Sequence, residues 1–255
     1  MNIYVSLTSI FQNQNVLLKT LVSIKQQIIK PSRLFLYLSE EPYLLDLGFK
    51  DRIITDSALN SFIQENSDLI ELRWTENTGP YRKLLPLLKE KWSEDCVIIT
   101  IDDDTEYVDT LIQDLVNDYM LHKCVINYRG FTPKISKIEE MTYENQRLIF
   151  IEKYIYNFPT GKGGILYHPS FFKGTGDLIF NKEMYMTLCR TTDDVWFFMI
   201  RICNKVECFL RNIAHVTMDN TTQFALFANF NSRNKTNTKY LKDTILALKE
   251  KGYLA

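Results

Sequence analysis

The sequence has few of the side chains that build zinc sites and disulfide frameworks. Its 255 residues include 5 cysteines and 3 histidines, and none of them forms a C-x-x-C pair or another metal-ligand spacing. An odd number of scattered cysteines is typical of small core side chains in a reducing compartment. We therefore expect neither a zinc site nor a disulfide framework from Cys96, Cys124, Cys189, Cys203, Cys208, His122, His168 and His215.

Long apolar runs and an excess of charge of one sign are also missing. No apolar stretch approaches the ~20 residues of a membrane span, and the N-terminus enters a strand pattern directly, without the features of a signal peptide. The 30 basic and 31 acidic side chains leave a formal net charge of −1, which argues against nucleic acid as a partner. The sequence predicts a cytoplasmic protein, and contact with a membrane surface stays open.

What the sequence does contain is an alternation of strand and helix patterns. Apolar residues alternate or run together over 3–7, 34–38 and 70–74, and helical patterns lie between these segments. This β-α-β-α-β order predicts a parallel sheet with right-handed connections, and therefore an α/β fold. Further helices are expected over 109–121 and 240–251, further strands over 124–129 and 211–217, and a strand or hairpin over 148–155.

The most informative segment is 96–105, in which an apolar run ends in Asp102, Asp103 and Asp104. The apolar part shows no alternation, which is typical of a buried central strand. Three adjacent carboxylates do not fit in a core without partners, so we expect them at the carboxyl end of the strand, where open α/β sheets bind ligands. They indicate either a hard cation such as Mg²⁺ or Mn²⁺ with a phosphorylated ligand, or an acidic turn that caps the next helix.

Two cations precede that strand. The segment 79–83 opens a helix, and Pro86 predicts a kink or an early-turn position within it. Arg82 and Lys83 lie near the positive end of the helix dipole, so the dipole alone does not explain them. Either an anionic ligand binds there, or the two side chains form salt bridges to the three aspartates.

Two later segments carry further candidates. The glycine-rich stretch 161–164 leads into a strand, where glycine permits either a close backbone approach to a ligand or a turn with positive φ. Thr191 and Asp194 have the spacing of a capping box before an apolar helix. Asp193 and Asp194 are thus either cap residues or a catalytic base, which the helix dipole would hold ionised.

Taken in this order, the segments resemble the GT-A glycosyltransferases that use nucleotide sugars, in particular family-2-like bacterial enzymes that build surface polysaccharide or lipopolysaccharide. The D-x-D of Asp102 and Asp104 is a weak signal by itself. Its place after a fourth strand, and before a later acidic pair with a tryptophan, is more specific. The resemblance covers most of the chain and rests on 3–9, 79–83, 101–105, 161–164 and 192–196.

This resemblance implies a Rossmann-like α/β fold in a single GT-A domain over 1–255. A mostly parallel central sheet would be flanked by helices, with a smaller hairpin or antiparallel region on the acceptor side. The nucleotide-sugar half would cover about 1–105, and the acceptor half about 106–255, with a C-terminal loop and helix. Independently of the resemblance, the segment 229–238 is polar and loosely patterned and contains Arg233 and Lys235, which suggests a lid over the donor diphosphate.

The resemblance also implies roles for individual residues. Asp104 would bind the metal ion, and Asp102 would lie near the metal or the ribose. Asp193 or Asp194 would be the base that takes the acceptor proton in an inverting reaction, with Asp193 favoured because Asp194 is placed to close the capping box. The residues that would contact the donor are Thr8, Ser9, Arg82, Lys83, Asp102, Asp103, Gly163 and Gly164.

His215 has two interpretations under the same resemblance. It would be either the late histidine that retaining GT-A enzymes use as a third metal ligand, or a strand histidine satisfied in the core. The implied cofactor is Mn²⁺ or Mg²⁺, the donor a UDP- or GDP-linked sugar, and the acceptor a glycan, lipid-linked or other hydroxyl. The Q-x-x-R-W of processive members is not present in this sequence, and peripheral contact at the inner membrane stays open.

Other classes compete with this interpretation. A haloacid-dehalogenase-type phosphatase uses D-x-D-x-[TV], but Glu106 stands here where Thr or Val is needed. A sugar-nucleotide pyrophosphorylase needs a glycine-rich loop after its first strand, which the segment 8–11 is not. A non-catalytic module that binds carbohydrate or nucleotide sugar remains if the acidic pair only caps a helix.

Overall fold

The computed structural model describes residues 1–143, 152–211, 213–232 and 235–254. Its helices are α1 (Gln14–Lys25), α2 (Ser57–Glu65), α3 (Leu85–Glu90), α4 (Leu111–His122), α5 (Lys182–Leu188), α6 (Asp193–Cys203) and α7 (Thr236–Glu250). Its strands are β1 (Asn2–Thr8), β2 (Arg33–Leu38), β3 (Ile70–Trp74), β4 (Cys96–Thr100), β5 (Thr105–Tyr107), β6 (Val125–Asn127), β7 (Gly130–Phe131), β8 (Lys153–Tyr154), β9 (Phe158–Pro159), β10 (Ile165–Tyr167), β11 (Cys208–Leu210) and β12 (Val216–Asp219).

The centre of the fold is an eight-stranded sheet with the order β3-β2-β1-β4-β10-β6-β11-β8. The first four strands of this order pair in parallel, as the β-α-β pattern predicts. β10 is antiparallel to both of its neighbours, β4 and β6. Two small antiparallel sheets, β12-β5 and β7-β9, complete the architecture. The predicted α/β class, with a mostly parallel sheet and a smaller antiparallel region, is confirmed.

β4 is buried along its whole length, because it lies between β1 and β10. Val97, Ile98 and Ile99 have no solvent exposure, which accounts for the absence of alternation in the sequence. The parallel register pairs Ser6 of β1 with Thr100 of β4. The two strands therefore end together, and the three aspartates follow at the same edge of the sheet as the end of β1.

Several predicted boundaries change in the structure. A 3-10 helix over Gly79–Lys83 ends before α3, and Pro86 occupies the first turn of α3, so the early-turn alternative is the correct one. The strand expected over 211–217 begins only at Val216, so that prediction is wrong in its bounds. Of the strand expected over 148–155, residues 148–151 lie outside the described residues, and β8 covers Lys153–Tyr154.

The expected lid also has a different structure from a loose loop. Phe227–Asn231 form a helix with wide, π-type turns, and α7 begins at Thr236. Arg233 lies outside the described residues, whereas Lys235 has a left-handed conformation at the start of α7. Among the helices described, none combines the length and apolarity needed to cross a membrane.

The core of this sheet yields a direct stability prediction. Replacement of Ile99 by alanine (Ile99→Ala) should lower the free energy of unfolding by about 2–5 kcal/mol, because the site is fully buried and cannot collapse around the cavity. Ile28, 58% exposed, provides the control: Ile28→Ala should change stability by less than about 0.5 kcal/mol. Urea denaturation of both variants measures the difference, and equal stabilities would contradict the central position of β4.

Candidate active site

A cleft of about 700 Å³ lies over the ends of β1 and β4 and the start of α6. Its floor carries the acidic residues singled out in the sequence, together with two lysines. One side is formed by the segment 43–46, and the other by 129–131 and 224–228. The charged residues that line it are Asp46, Arg82, Lys83, Asp102, Asp103, Asp104, Arg129, Lys162, Asp193, Asp194 and Asp219.

Lys83 joins the two acidic segments of the cleft. Its Nζ lies 3.1 Å from Asp102 Oδ1 and 3.1 Å from Asp193 Oδ2. Burial alone would lower the pKa of Lys83, but the carboxylates of Asp102 and Asp193 hold it well above its ordinary value. The ammonium therefore stays charged, and it ties the end of β4 to the start of α6. The salt-bridge interpretation of Lys83 is the one that the structure adopts.

Arg82 is committed to neighbouring loops. Four hydrogen bonds use four of its five N–H groups: Nε to Gly79 O, Nη1 to Ser39 Oγ, and Nη2 to Ser9 O and Asp46 Oδ2. The guanidinium of Arg82 and the carboxylate of Asp46 are both buried, and Nη2 lies 3.1 Å from Oδ2. Arg82 thus lines the cleft but mainly holds its floor, and little of its hydrogen-bonding capacity remains for a donor sugar or diphosphate.

Asp46 is the residue that sequence reasoning missed at this point. Its carboxylate accepts hydrogen bonds from the backbone N–H groups of Phe11 and Gly48, and from the side chains of Asn77 and Arg82. The only sequence signal is a lone acid within the apolar run 44–47. Asp46 fixes the segment 43–46 against the end of β1, where it forms one side of the cleft.

Thr8, Ser9 and Asp103 lie together at the end of β1. Thr8 Oγ1 donates to Tyr37 O at 2.8 Å, and Ser9 Oγ donates to Asp103. Asn13 Nδ2 donates to the same carboxylate at 3.1 Å. Burial raises the pKa of Asp103 to about 7, against the effect of these two hydrogen bonds. Asp103 is therefore a structural contact between α1 and the acidic turn as well as part of the cleft lining.

Asp104 is a partly buried member of the triplet and lines the cleft. Its carboxylate accepts a hydrogen bond from Thr105 Oγ1 at 3.3 Å. Burial raises the pKa of Asp104, and the charges of Asp102 and Asp219 raise it further, whereas Lys162 lowers it. Asp219 comes close because β12 pairs with β5 and places it opposite Thr105. Negative charge thus accumulates at Asp104.

The acidic cluster of the cleft matches the needs of a divalent cation that binds together with phosphate. No three His, Cys, Asp or Glu side chains are grouped as a preformed metal site in the ranges that the structure describes. Mg²⁺ needs only one or two protein carboxylates when phosphates complete its shell. Asp104, with Asp102 next to it, fits a cation of that kind, since a positive ion would relieve the crowding of negative charge.

His215 is not brought to the acidic triplet. It is buried, its Nε2 lies 3.0 Å from Asp114 Oδ2, and its ring stacks on Tyr128 with 4.2 Å between centroids. It is not part of the cleft lining. The structure places Asp219, not His215, beside Asp104, because the strand β12 begins one residue after His215 and Asp219 ends it.

The two aspartates of α6 face different partners. Asp193 lies against Lys83, whereas Asp194 Oδ2 accepts a hydrogen bond from Gly161 N at 3.3 Å. The capping box does not form, because Thr191 Oγ1 donates to Asn231 Oδ1 instead and Thr192 is the cap residue, with no side-chain bond. The expectation of a capping box is therefore wrong.

The protonation expected for this pair is also corrected. Burial raises the pKa of Asp194 to about 7, and the neighbouring charge of Asp193 raises it too. Burial likewise raises the pKa of Asp193, although Lys83 opposes the shift. Desolvation therefore outweighs the helix dipole, which by itself would hold both carboxylates ionised. A carboxylate of this kind is a better proton acceptor than a surface aspartate.

The glycine-rich stretch contributes one backbone approach to the cleft. A Cβ on Gly161 would lie 2.7 Å from Lys83 Nζ and 2.8 Å from Asp102 Oδ1, so any larger residue there would displace the ion pair. Gly163 packs against the backbone of Arg129, and Gly164 has a φ of +71°. Neither of these two lines the cleft, so within the stretch 161–164 the glycine of the site is Gly161.

Comparisons with known proteins place the fold. No family model and no curated protein matches the chain. Solved structures of S. aureus TarS, whose fold is GT-A-like, do match. For the 1-349 fragment the TM-score is 0.52 at 16% identity, over 85% of this chain and 59% of that chain. Its complex with UDP has a TM-score of 0.54 at 15% identity, with the same coverage.

Two further structures extend this comparison. The TarS fragment with UDP-GlcNAc has a TM-score of 0.51 at 14% identity, over 85% of this chain and 57% of that chain. The 4-diphosphocytidyl-2C-methyl-D-erythritol synthase from Anaerococcus prevotii has a TM-score of 0.51 at 12% identity. The match covers 89% of this chain and 93% of that chain. This chain therefore spans less than two thirds of the TarS fragment. The likenesses confirm the predicted GT-A-like fold.

The buried pair Arg82–Asp46 gives a prediction for the stability of the site. Replacement of Arg82 by methionine (Arg82→Met) leaves a buried carboxylate without its counter-ion and should cost about 3–5 kcal/mol of unfolding free energy. The double variant Arg82→Met/Asp46→Asn should recover a large part of this loss.

The exposed pair Lys182–Glu76 supplies the matched control for that substitution. Lys182→Met should cost less than about 1 kcal/mol, because an exposed ion pair contributes little. Chemical denaturation followed by circular dichroism measures all three variants. If Arg82→Met were as mild as Lys182→Met, Arg82 would not hold the floor of the cleft.

Proposed function

We propose that this protein transfers a sugar from a UDP- or GDP-linked donor to an acceptor hydroxyl, with inversion at the anomeric carbon. The observation that carries the proposal is the position of Lys83, which joins Asp102 after β4 to Asp193 at the start of α6. The two acidic segments that such a transferase needs thus meet in one cleft. The likeness to TarS in complex with UDP and UDP-GlcNAc supports a nucleotide-sugar donor.

The diphosphate of the donor is proposed to lie beside Asp104 and Lys162. Lys162 Nζ now bonds to Thr221 Oγ1 at 2.9 Å and pairs with Asp219, so its charge already faces this part of the cleft. Mn²⁺ or Mg²⁺, held by Asp104 with Asp102, would supply positive charge against the leaving diphosphate. Thr8 and Ser9, at the end of β1, would contact the nucleoside.

Asp194 is proposed as the base, in place of the Asp193 that the sequence favours. Lys83 engages Asp193, whereas Oδ1 of Asp194 is buried and has no hydrogen-bond partner among the described residues. The acceptor oxygen attacks the anomeric carbon, and its proton passes to Asp194. The bond between that carbon and the diphosphate oxygen breaks, and its electron pair leaves with the diphosphate. Lys83 keeps Asp193 and Asp102 in place during the transfer.

The biological setting follows the resemblance found in the sequence. We propose a role in the assembly of surface glycan or lipopolysaccharide, in which the acceptor is a glycan or a lipid-linked sugar. The likeness to a diphosphocytidyl synthase makes nucleotidyl transfer the alternative reaction to be tested. Incubation with UDP- and GDP-sugars, and separately with CTP and UTP, distinguishes the release of a nucleoside diphosphate from the release of pyrophosphate.

The metal site is tested by donor binding. Asp104→Asn should leave folding intact and abolish the part of UDP affinity that depends on Mn²⁺, because the amide supplies no charge to the cation. Isothermal titration calorimetry of UDP binding, in the presence of Mn²⁺ and in the presence of EDTA, measures the part of the affinity that depends on the metal. The exposed Asp68 serves as control, and Asp68→Asn should bind UDP as the wild type does. Unchanged Mn²⁺-dependent binding in Asp104→Asn would restrict the triplet to a structural role.

The base is tested by the pH dependence of turnover. A base must be ionised, so with the pKa of Asp194 at about 7 the wild-type kcat/KM should rise as pH increases through about 7 and level off above it. Asp194→Asn should lose about 10²–10⁴-fold in kcat and still bind donor. The rate is measured as nucleotide release, with water or a sugar as acceptor.

The matched variant for this test is Asp193→Asn. If Asp193→Asn removed both the rate and the pH dependence while Asp194→Asn kept them, the base would be Asp193. Proton NMR of the first sugar product reports its anomeric configuration. A product with the configuration of the donor would overturn the proposal of inversion.

A further inference from the structure

One wall of the cleft is more apolar than the chemistry of sugar and phosphate requires. It consists of the consecutive residues Phe224, Ala225, Leu226, Phe227 and Ala228, which we call the apolar wall. Phe227 is 56% exposed although it lines a cavity. None of the five side chains has a hydrogen-bonding group, so the wall does not satisfy the hydroxyl groups of a sugar. It suits an apolar group that would otherwise stay in contact with water.

Besides the aspartates of α6, Asn237 brings an unpartnered polar atom to the same cavity. Asn237, in the first turn of α7, lines the cleft and is only 2% exposed. Its Oδ1 is buried and has no hydrogen-bond partner among the described residues. Buried polar atoms nearly always have partners, so the orphan oxygen of a residue that lines the cavity points to a missing ligand. An amide oxygen accepts a hydrogen bond, and its ligand must therefore donate one from O–H or N–H.

The apolar wall is attached to the acidic end of α6. Asn231 is the last residue of the wide-turned helix that begins within the wall at Phe227. It accepts a hydrogen bond from Thr191 Oγ1 at 2.6 Å and donates from Nδ2 to Thr191 O at 3.0 Å. Thr191 lies two residues before Asp193. A ligand seated on the wall is therefore held beside the aspartates of α6, on the side of the cleft where α7 packs against α6.

We propose that the apolar wall and Asn237 form the acceptor subsite, and that the acceptor carries an aryl or alkyl group next to its sugar. The apolar group lies against Phe227, and a hydroxyl or N–H of the acceptor donates to Asn237 Oδ1. A few polar groups in a mostly apolar pocket fix the orientation of a ligand in this manner. This assignment rests on the proposed glycosyl transfer, and it narrows the acceptor to an amphipathic glycoside.

The test compares pairs of glycosides that differ only in the apolar group. Phenyl and methyl β-D-glycosides of glucose, galactose and N-acetylglucosamine are titrated against the full chain with saturating UDP and Mn²⁺. In at least one pair, the phenyl glycoside should bind about tenfold more tightly than the methyl glycoside. Phe227→Ser should remove this preference, and Asn237→Ala should weaken binding of both glycosides by about fivefold to tenfold.

The controls separate this proposal from folding and from the donor site. Leu246, 59% exposed on α7, lies outside the cleft lining, and Leu246→Ser should behave as the wild type. UDP affinity is measured in every variant, and its retention shows that the cleft is folded. GDP replaces UDP in these titrations if the wild type binds only GDP, and if it binds neither nucleotide the proposed function fails, whatever the glycosides do.

Three results would overturn the acceptor assignment itself. Equal affinity of the wild type for the phenyl and methyl members of every pair would show that the subsite does not recognise an apolar group on the acceptor. A preference for the phenyl glycoside that survives Phe227→Ser would show that Phe227 does not belong to the subsite. Full affinity in Asn237→Ala would show the same for Asn237. Competition between phenyl glycoside and UDP would assign the apolar wall to the nucleobase instead.

Discussion

The architecture of the cleft depends on one buried ammonium group. Two carboxylates from distant parts of the chain, Asp102 and Asp193, would repel each other at this separation, and Lys83 holds both at 3.1 Å. Its charge is retained because their attraction exceeds the cost of burial. With the ends of β4 and α6 tied in this way, the glycine-rich turn can pass directly over the ion pair at Gly161. The acidic strand end, the helix start and the turn thus form one rigid unit.

A large part of the fold was predictable from local patterns. The unbroken apolar run before Asp102 predicted a buried strand, and β4 is buried because it has neighbours on both sides. The β-α-β-α-β order predicted the parallel half of the sheet. The antiparallel insertion of β10 between β4 and β6 was not predictable, because a three-residue strand has no periodicity of its own and depends on the strands next to it.

The sequence predicted which acidic residues line the cleft better than it predicted their partners and distances. The aspartates after β4 and at α6 do line one cleft, but their individual partners depend on tertiary contacts that the sequence does not display. His215 and Asp219 illustrate the difference, since a shift of a few residues in where β12 begins decides which of them lies beside Asp104. The protonation of Asp194 differs from the expectation for a related reason, because the helix dipole can be recognised from the sequence whereas the depth of burial cannot.

The contacts of Asp46 have a consequence for redesign of the cleft. Its four hydrogen bonds join the backbone before α1, its own loop, Asn77 and Arg82. The preceding side chains, Tyr43 to Leu45, project from this anchor into the cavity and carry none of those bonds through their side chains. A mutagenesis library that randomises 43–45 while it preserves Asp46 would therefore sample new ligand preferences without loosening the scaffold.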